Sequence, residues 1–344
     1  VLGFDMGGTS TDVCRFAGVL ERRDTAKVAG VKLRSPMLDV ETVAAGGGSI
    51  LAFDGLRARV GPQSAGADPG PAAYGRGGPA TVTDANLVLG RLDPRFFPSV
   101  FGPRGGAPLD VEAARAAVGR LAEAMGAASL EAAAEGFVAI AVEQMARATD
   151  RISTERGFDP RDHALTAFGG AAGQVACEVA DALGPSVVLC PRYGSVLSAY
   201  GIGQAELSAL RQMGLEAQLG DQGLDRARAL LDQVEAAARA GLAEQGAEAS
   251  AVRRTLRLRY QGADAELPVE PGPYADVKAA FESAHQRLFG FTEPTLPIVI
   301  GSVEAEAVSQ GLPQAPARGA QPSPEGAPTP HRVRIFAGGS WHEA

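Results

Sequence analysis

The chain begins with a short apolar run, Val1 to Phe4, gives way to the polar stretch Asp5-Met6-Gly7-Gly8-Thr9-Ser10-Thr11-Asp12, and turns apolar again from Val13 to Phe16. Two brief apolar runs around a glycine turn predict a strand, a tight turn and a returning strand. Thr25 to Leu33 predicts a third strand. The strongest helical signal runs from Ser129 to Arg156, where Phe137, Ile140, Ala141, Met145, Ala148 and Ile152 recur at helical spacing and Gly157 offers a C-cap. A buried strand, Ala164 to Phe168, then leads through Gly169-Gly170-Ala171-Ala172-Gly173-Gln174 into a helix, Val175 to Leu183, and a strand, Ser186 to Cys190. That order makes an α/β unit with a ligand-facing turn at the carboxyl end of its first strand.

Beyond residue 205 the pattern changes character. Leu224 to Gln245 is an amphipathic helix, and Leu256, Leu258 and Tyr260 alternate with Arg257 and Arg259 as a half-exposed strand. Val277 to Phe289 is helical and Ile298 to Ala307 extended. A smaller α+β module over 206–308 follows. The Pro-, Ala- and Gly-rich stretch 309–330 reads as a linker, and 331–344 as the start of a further strand and turn. The first residue already sits inside a predicted strand and the last ones open another, so a piece of a longer polypeptide is expected.

The opening turn carries the first candidate chemistry. Glycines at 7 and 8 permit positive φ and close approach of backbone N–H groups to an anion, and Thr9, Ser10 and Thr11 add hydroxyl donors. Asp5 and Asp12 frame the turn. Beside phosphates, a carboxylate makes sense through Mg²⁺ or as the positioner of a water, so the pattern points to ATP chemistry, with Asp5 also the candidate metal ligand. It is not the lysine-bearing Walker loop, because this turn returns to a strand. A second glycine loop, Gly46-Gly47-Gly48-Ser49, and the Gly/Pro-dense stretch 61–79 can also approach a ligand. Thr83 or Asp84 is the expected N-cap of the short helix in TVTDANLVLG, which brings Asp84 and Asn86 into the candidate set. Gly169, Gly170 and Gly173 complete it.

Composition excludes more than it identifies. The 344 residues carry a net charge of −8, which argues against a general nucleic-acid surface, and no apolar stretch is long enough to span a bilayer. Three cysteines, Cys14, Cys177 and Cys190, lack paired or metal-type spacing, and the four histidines form no ligand motif. A reducing, cytoplasmic setting is expected.

Taken in order, DMGGTSTDV, TVAAGGGSI, GPQSAGADPGPAAYGRGGPATVTDANLVLGRL, ERGFDPRDHALTAFGGAAGQVAC, YGSVLSAYG and LRYQGADAEL resemble successive blocks of the hydantoinase A/5-oxoprolinase family, nearest its 5-oxoprolinase branch. The resemblance implies, for 1–205, an incomplete actin-like ATPase lobe of RNase-H-like type, with DMGGTSTD as the second phosphate turn and FGGAAGQ near the adenosine. It implies use of ATP and Mg²⁺ to open 5-oxoproline to glutamate, a hydantoinase B-type domain or subunit as partner, and an oligomer. An N-methylhydantoin hydrolase, a subunit of an ATP-using ketone carboxylase and a non-catalytic actin-like binding module are the alternatives. The chain departs from the family pattern at Val175 and the next positions, where a histidine usually follows the glycine turn.

Overall fold

The computed structural model describes residues 1–18, 20–28, 31–310 and 331–344. These form two compact units, residues 1–198 with 331–344, and residues 199–310. The division falls inside a helix, a few residues before the change of pattern at 205.

In the first unit, β1 (Leu2–Met6) and β2 (Thr11–Arg15) form the opening hairpin. β3 (Arg22–Val28) and β4 (Val31–Leu38) pair with each other, so the expected single strand from Thr25 to Leu33 is a hairpin. β5 (Val40–Val43) pairs with β2, and β6 (Ser49–Phe53) pairs with β7 (Ala58–Ser64). Three helices follow: α1 (Val82–Val88), α2 (Val111–Met125) and α3 (Leu130–Ile152). The unit continues with β8 (Leu165–Phe168), α4 (Ala176–Leu183) and β9 (Val188–Leu189). The main sheet has the order β5-β2-β1-β8-β9, with β1 antiparallel to β2 and parallel to β8.

β1 is central, which explains why Leu2, Phe4 and Met6 are all fully buried. They meet Val13, Leu165 and the apolar stripe of α3, Phe137, Ala141, Met145, Ala148 and Ile152. Ser129 starts α3 by accepting a hydrogen bond from the Ala132 amide at 3.0 Å. The helix stops at Ile152. Gly157, expected as its C-cap, instead closes the following 3-10 turn Thr154–Arg156 in a left-handed conformation. α2 has no clear signature in the apolar pattern, although Asp110 caps its start and left-handed Gly126 its end.

α5 (Leu197–Gln204) crosses the division. The second unit holds β10 (Ser208–Gln218), α6 (Asp221–Ala243), β11 (Ala249–Tyr260), β12 (Leu267–Val269), α7 (Tyr274–Phe289) and β13 (Ile298–Ser309). Its antiparallel sheet runs β10-β13-β11-β12. Leu256, Leu258, Ile300, Val303 and Ala305 pack against Leu231, Val234 and Phe281 of the two helices. Arg257, expected half-exposed, is only 4% exposed, because Glu304 of the central strand β13 meets its Nε at 3.0 Å. Breaking such a buried pair leaves an uncompensated charge, so it favours one register of β11 on β13.

The hairpin of β14 (Arg334–Ala337) and β15 (Ser340–Glu343) returns to the first unit. The Phe336 amide donates to the Leu89 carbonyl, and the Gly338 amide to Glu135. Gly90 must lack a side chain here, since a Cβ would lie 2.1 Å from the Arg334 carbonyl oxygen. Most of the expected linker 309–330 lies outside the described residues. Among the described residues, no single helix is long and apolar enough to cross a membrane.

Candidate functional site

The β1–β2 register places Asp5 directly opposite Asp12 and Met6 opposite Thr11. Directly paired residues of an antiparallel ladder point to one face, so the two carboxylates are neighbours. Thr42 Oγ1 donates to Asp12 at 2.5 Å and Ser198 Oγ to Asp5 at 2.7 Å. Neither carboxylate has a basic partner among the described residues. Like charges facing each other repel, and a cation between them would relieve this. Among the described residues no group of three or more metal-type side chains occurs. Two carboxylates fit Mg²⁺, which keeps several waters and takes its other ligands from phosphates. Asp5 and Asp12 would hold it, and the cation would supply charge neutralisation beside a phosphate.

Between the two aspartates the Gly7 amide donates to the Ser10 carbonyl at 3.0 Å and closes the turn. Gly8 and Thr9 form its exposed tip. Neither Gly7 nor Gly8 has a left-handed φ, contrary to the expectation from the sequence. Packing within the chain does not require glycine at 8 either, since a Cβ there would meet nothing within 4 Å. Thr11 points inward instead of toward a ligand. It is fully buried and its hydroxyl donates to the Ala45 carbonyl at 2.6 Å.

Two further glycine segments converge on this turn. The amides of Gly47 and Gly48 donate to the carbonyls of Gly7 and Gly8 at 3.0 and 2.5 Å, and the Ala171 amide donates to Met6 at 2.9 Å. A Cβ on Gly46 would lie 2.8 Å from the Gly7 oxygen, and one on Gly169 would lie 2.4 Å from Asp5 Oδ1. Gly46, Gly47 and Gly48 are buried. The triple glycine therefore supports the Gly7-Gly8 turn from behind, and its amides at 47 and 48 are already engaged. Gly170 and Gly173 differ. Both are exposed, neither has a left-handed φ, and a Cβ on either would meet nothing within 4 Å.

α1 is held to the same place, with the Thr83 amide and hydroxyl both donating to the Gly47 carbonyl. Its N-cap is Thr81, two residues before the earliest expected position, and Asp84 completes a capping box. Asp84 is fully buried. It accepts from the amides of Ala72, Ala73 and Thr81 and from the Thr81 hydroxyl. Burial pushes its carboxyl above the usual range, while the Ala73 amide and the Thr81 contacts pull it back. With four donors in place, Asp84 holds the Gly/Pro-dense loop to α1 and offers nothing to a nucleotide. Asn86 is also fully buried, and its amide donates to Gln174 Oε1 at 2.8 Å. Its Oδ1 has no partner among the described residues. The contact ties α1 to the FGGAAGQ turn.

The sequence pattern missed one site residue, Ser198. The block YGSVLSAYG contained it, but nothing in the spacing brings residue 198 to residue 5. Two surface cavities lie elsewhere, one of about 420 Å³ lined by Thr154, Phe158, Asp159 and Leu183, the other of about 590 Å³ lined by Glu216, Arg259 and Gln261. The convergent turns make an open wall.

The sequence profile of the hydantoinase/oxoprolinase family matches residues 1–211. The chain belongs to that family. The 5-oxoprolinase of Saccharomyces cerevisiae is 40% identical over 322 residues, covering 90% of this chain and 25% of the relative. The crystal structure of the ATP-dependent caprolactamase from Pseudomonas jessenii superposes with a TM-score of 0.73 at 34% identity, over 90% of this chain and 46% of that one. The nucleotide-free structure of an acetone carboxylase superposes with a TM-score of 0.68 at 22% identity, over all of this chain and 51% of that one, which supports the fold alone. The chain thus spans about a quarter to half the length of these family relatives, and its mixed α/β fold is theirs.

Proposed function

We propose that the chain is part of the ATPase component of an ATP-dependent cyclic amide hydrolase of the 5-oxoprolinase type, with an actin-like lobe that closes on ATP together with a second lobe. The observation that carries this reading is the exposed Gly8-Thr9 tip between two same-face aspartates, supported from behind by the glycine segments 46–48 and 169–171. The amides of Gly8, Thr9 and Ser10 have no backbone acceptor among the described residues, so they can receive phosphate oxygens. Open space above Gly170 and Gly173 leaves room for the far end of a nucleotide.

The chemistry follows from the substrate class. A lactam carbonyl is a poor electrophile; transfer of the γ-phosphoryl group to its oxygen makes the carbon open to water and the nitrogen easier to expel. The net reaction is 5-oxo-L-proline, ATP and water giving L-glutamate, ADP and phosphate. Asp5 and Asp12 would hold Mg²⁺, which would neutralise phosphate charge, or would orient the attacking group, and the turn amides hold the phosphates. A hydantoinase B-type domain or subunit supplies the remainder, in a cytoplasmic oligomer. Caprolactam is the competing substrate, favoured by the TM-score of 0.73 with the caprolactamase.

The test is ADP release by the complete enzyme against 5-oxoproline, caprolactam, N-methylhydantoin and acetone. Release that depends on 5-oxoproline is the expected result. Dependence on another compound reassigns the substrate, and ADP binding without release under any of them makes the chain a non-catalytic module.

A further inference from the structure

We propose that Ser198 is a positioning residue for the Asp5 carboxylate; this rests on the reading of Asp5 given above. Ser198 Oγ donates to Asp5 Oδ2 at 2.7 Å across 193 residues of sequence. On the other side, Asp5 Oδ1 packs so closely on Gly169 that any Cβ there would lie 2.4 Å from it. The carboxylate is thus held from two directions, by a charge-assisted hydrogen bond and by a glycine with a left-handed φ of 89°. Holding matters because phosphoryl transfer depends on positioning, and an error of about 1 Å can reduce a rate about a hundredfold.

Ser198 also stands at a particular place in the chain. It is the second residue of α5 and the last of the first unit; from Ala199 onward the same helix belongs to the second unit. No residue of α5 is buried, and the Ser198 hydroxyl is what the helix contributes to Asp5.

The experiment compares Ser198→Ala, Ser198→Thr, Asp5→Asn and the double variant Ser198→Ala/Asp5→Asn in the complete enzyme. Substrate-dependent ADP release, ADP affinity by calorimetry and Tm are measured for each. Ser198→Ala is expected to lower kcat about tenfold, the effect of one charge-assisted bond, with KM for ATP, ADP affinity and Tm close to wild type. Ser198→Thr keeps the hydroxyl and should recover most of the rate. In the Asp5→Asn background, Ser198→Ala should cause no further loss. Wild-type kcat in Ser198→Ala beside an inactive Asp5→Asn overturns the positioning role and leaves the function of Asp5 standing. A loss matched by a fall in Tm, or an additive loss in the double variant, reduces Ser198 to a structural contact. Full activity of Asp5→Asn overturns the reading of Asp5 and this inference with it.

Discussion

Gly8 and Gly46 touch the same turn and are glycines for opposite reasons. At Gly46 a Cβ would meet backbone atoms of Gly7 and Gly8 under 3.0 Å away, so the fold itself excludes a side chain. Gly46→Ala is expected to lower stability by about 1–3 kcal/mol through overpacking, read as a fall in Tm. At Gly8 the space is open and φ is not left-handed, so the fold tolerates a side chain that a bound phosphate would not. Gly8→Val is therefore expected to keep the wild-type Tm and lose ADP binding by calorimetry; retained ADP affinity would place the nucleotide away from this turn. Asp84 offers a contrasting control. Asp84→Ala strips acceptors from three buried amides, and a loss on the order of 3 kcal/mol is expected in thermal unfolding.

Between elements, the contact of α6 with β11 has a titratable component. Glu235 lies between Arg239 of its own helix and Arg254 of β11. The Arg239 hydrogen bond, and after it that of Arg254, hold the Glu235 carboxyl below its ordinary value of 4.5. A depressed folded-state pKa stabilises the fold above the unfolded value, and the contribution is lost as pH falls through the folded value. Because the pair is near the surface, the effect is under about 1 kcal/mol. Glu235→Gln should thus lower Tm slightly at pH 7, and the gap to wild type should close as pH falls below 4.5 and through the folded-state value. A gap that persists in acid would mean that shape, not charge, holds the helix there. The same scale explains which elements the pattern revealed. α3 has an apolar stripe, a serine cap and a long run, whereas α2 is built largely from alanine and its caps, Asp110 and Gly126, are its clearest signal.

For the whole molecule, the proposed cleft requires more than one wall. The chain covers 25% of the yeast 5-oxoprolinase and 46% of the caprolactamase chain. The 344-residue chain on its own is expected to show no 5-oxoproline-dependent ADP release, since one set of turns cannot enclose the transferring phosphate. Release at the rate of the complete enzyme would refute the two-lobe arrangement. The family was legible at this scale because its blocks follow one another in order along most of the chain, and no single glycine motif carries comparable information.

Local physics accounts for what could be read without coordinates. A glycine turn between two apolar runs predicts a hairpin framed by Asp5 and Asp12, whereas the register that sets the two opposite each other is a finding of the structure. An apolar stripe at helical spacing must bury one face, as α3 does. Packing between distant segments decided the rest. Whether a glycine faces open space or neighbouring atoms depends on which segment lies behind it, which separates Gly8 and Gly170 from Gly46 and Gly169. Thr11 and Asp84, polar residues beside glycine loops, look like ligands in one dimension, but their partners at Ala45 and at Ala72, Ala73 and Thr81 turn them inward. Ser198 reaches Asp5 only because the chain returns after 193 residues, a proximity that no local spacing encodes.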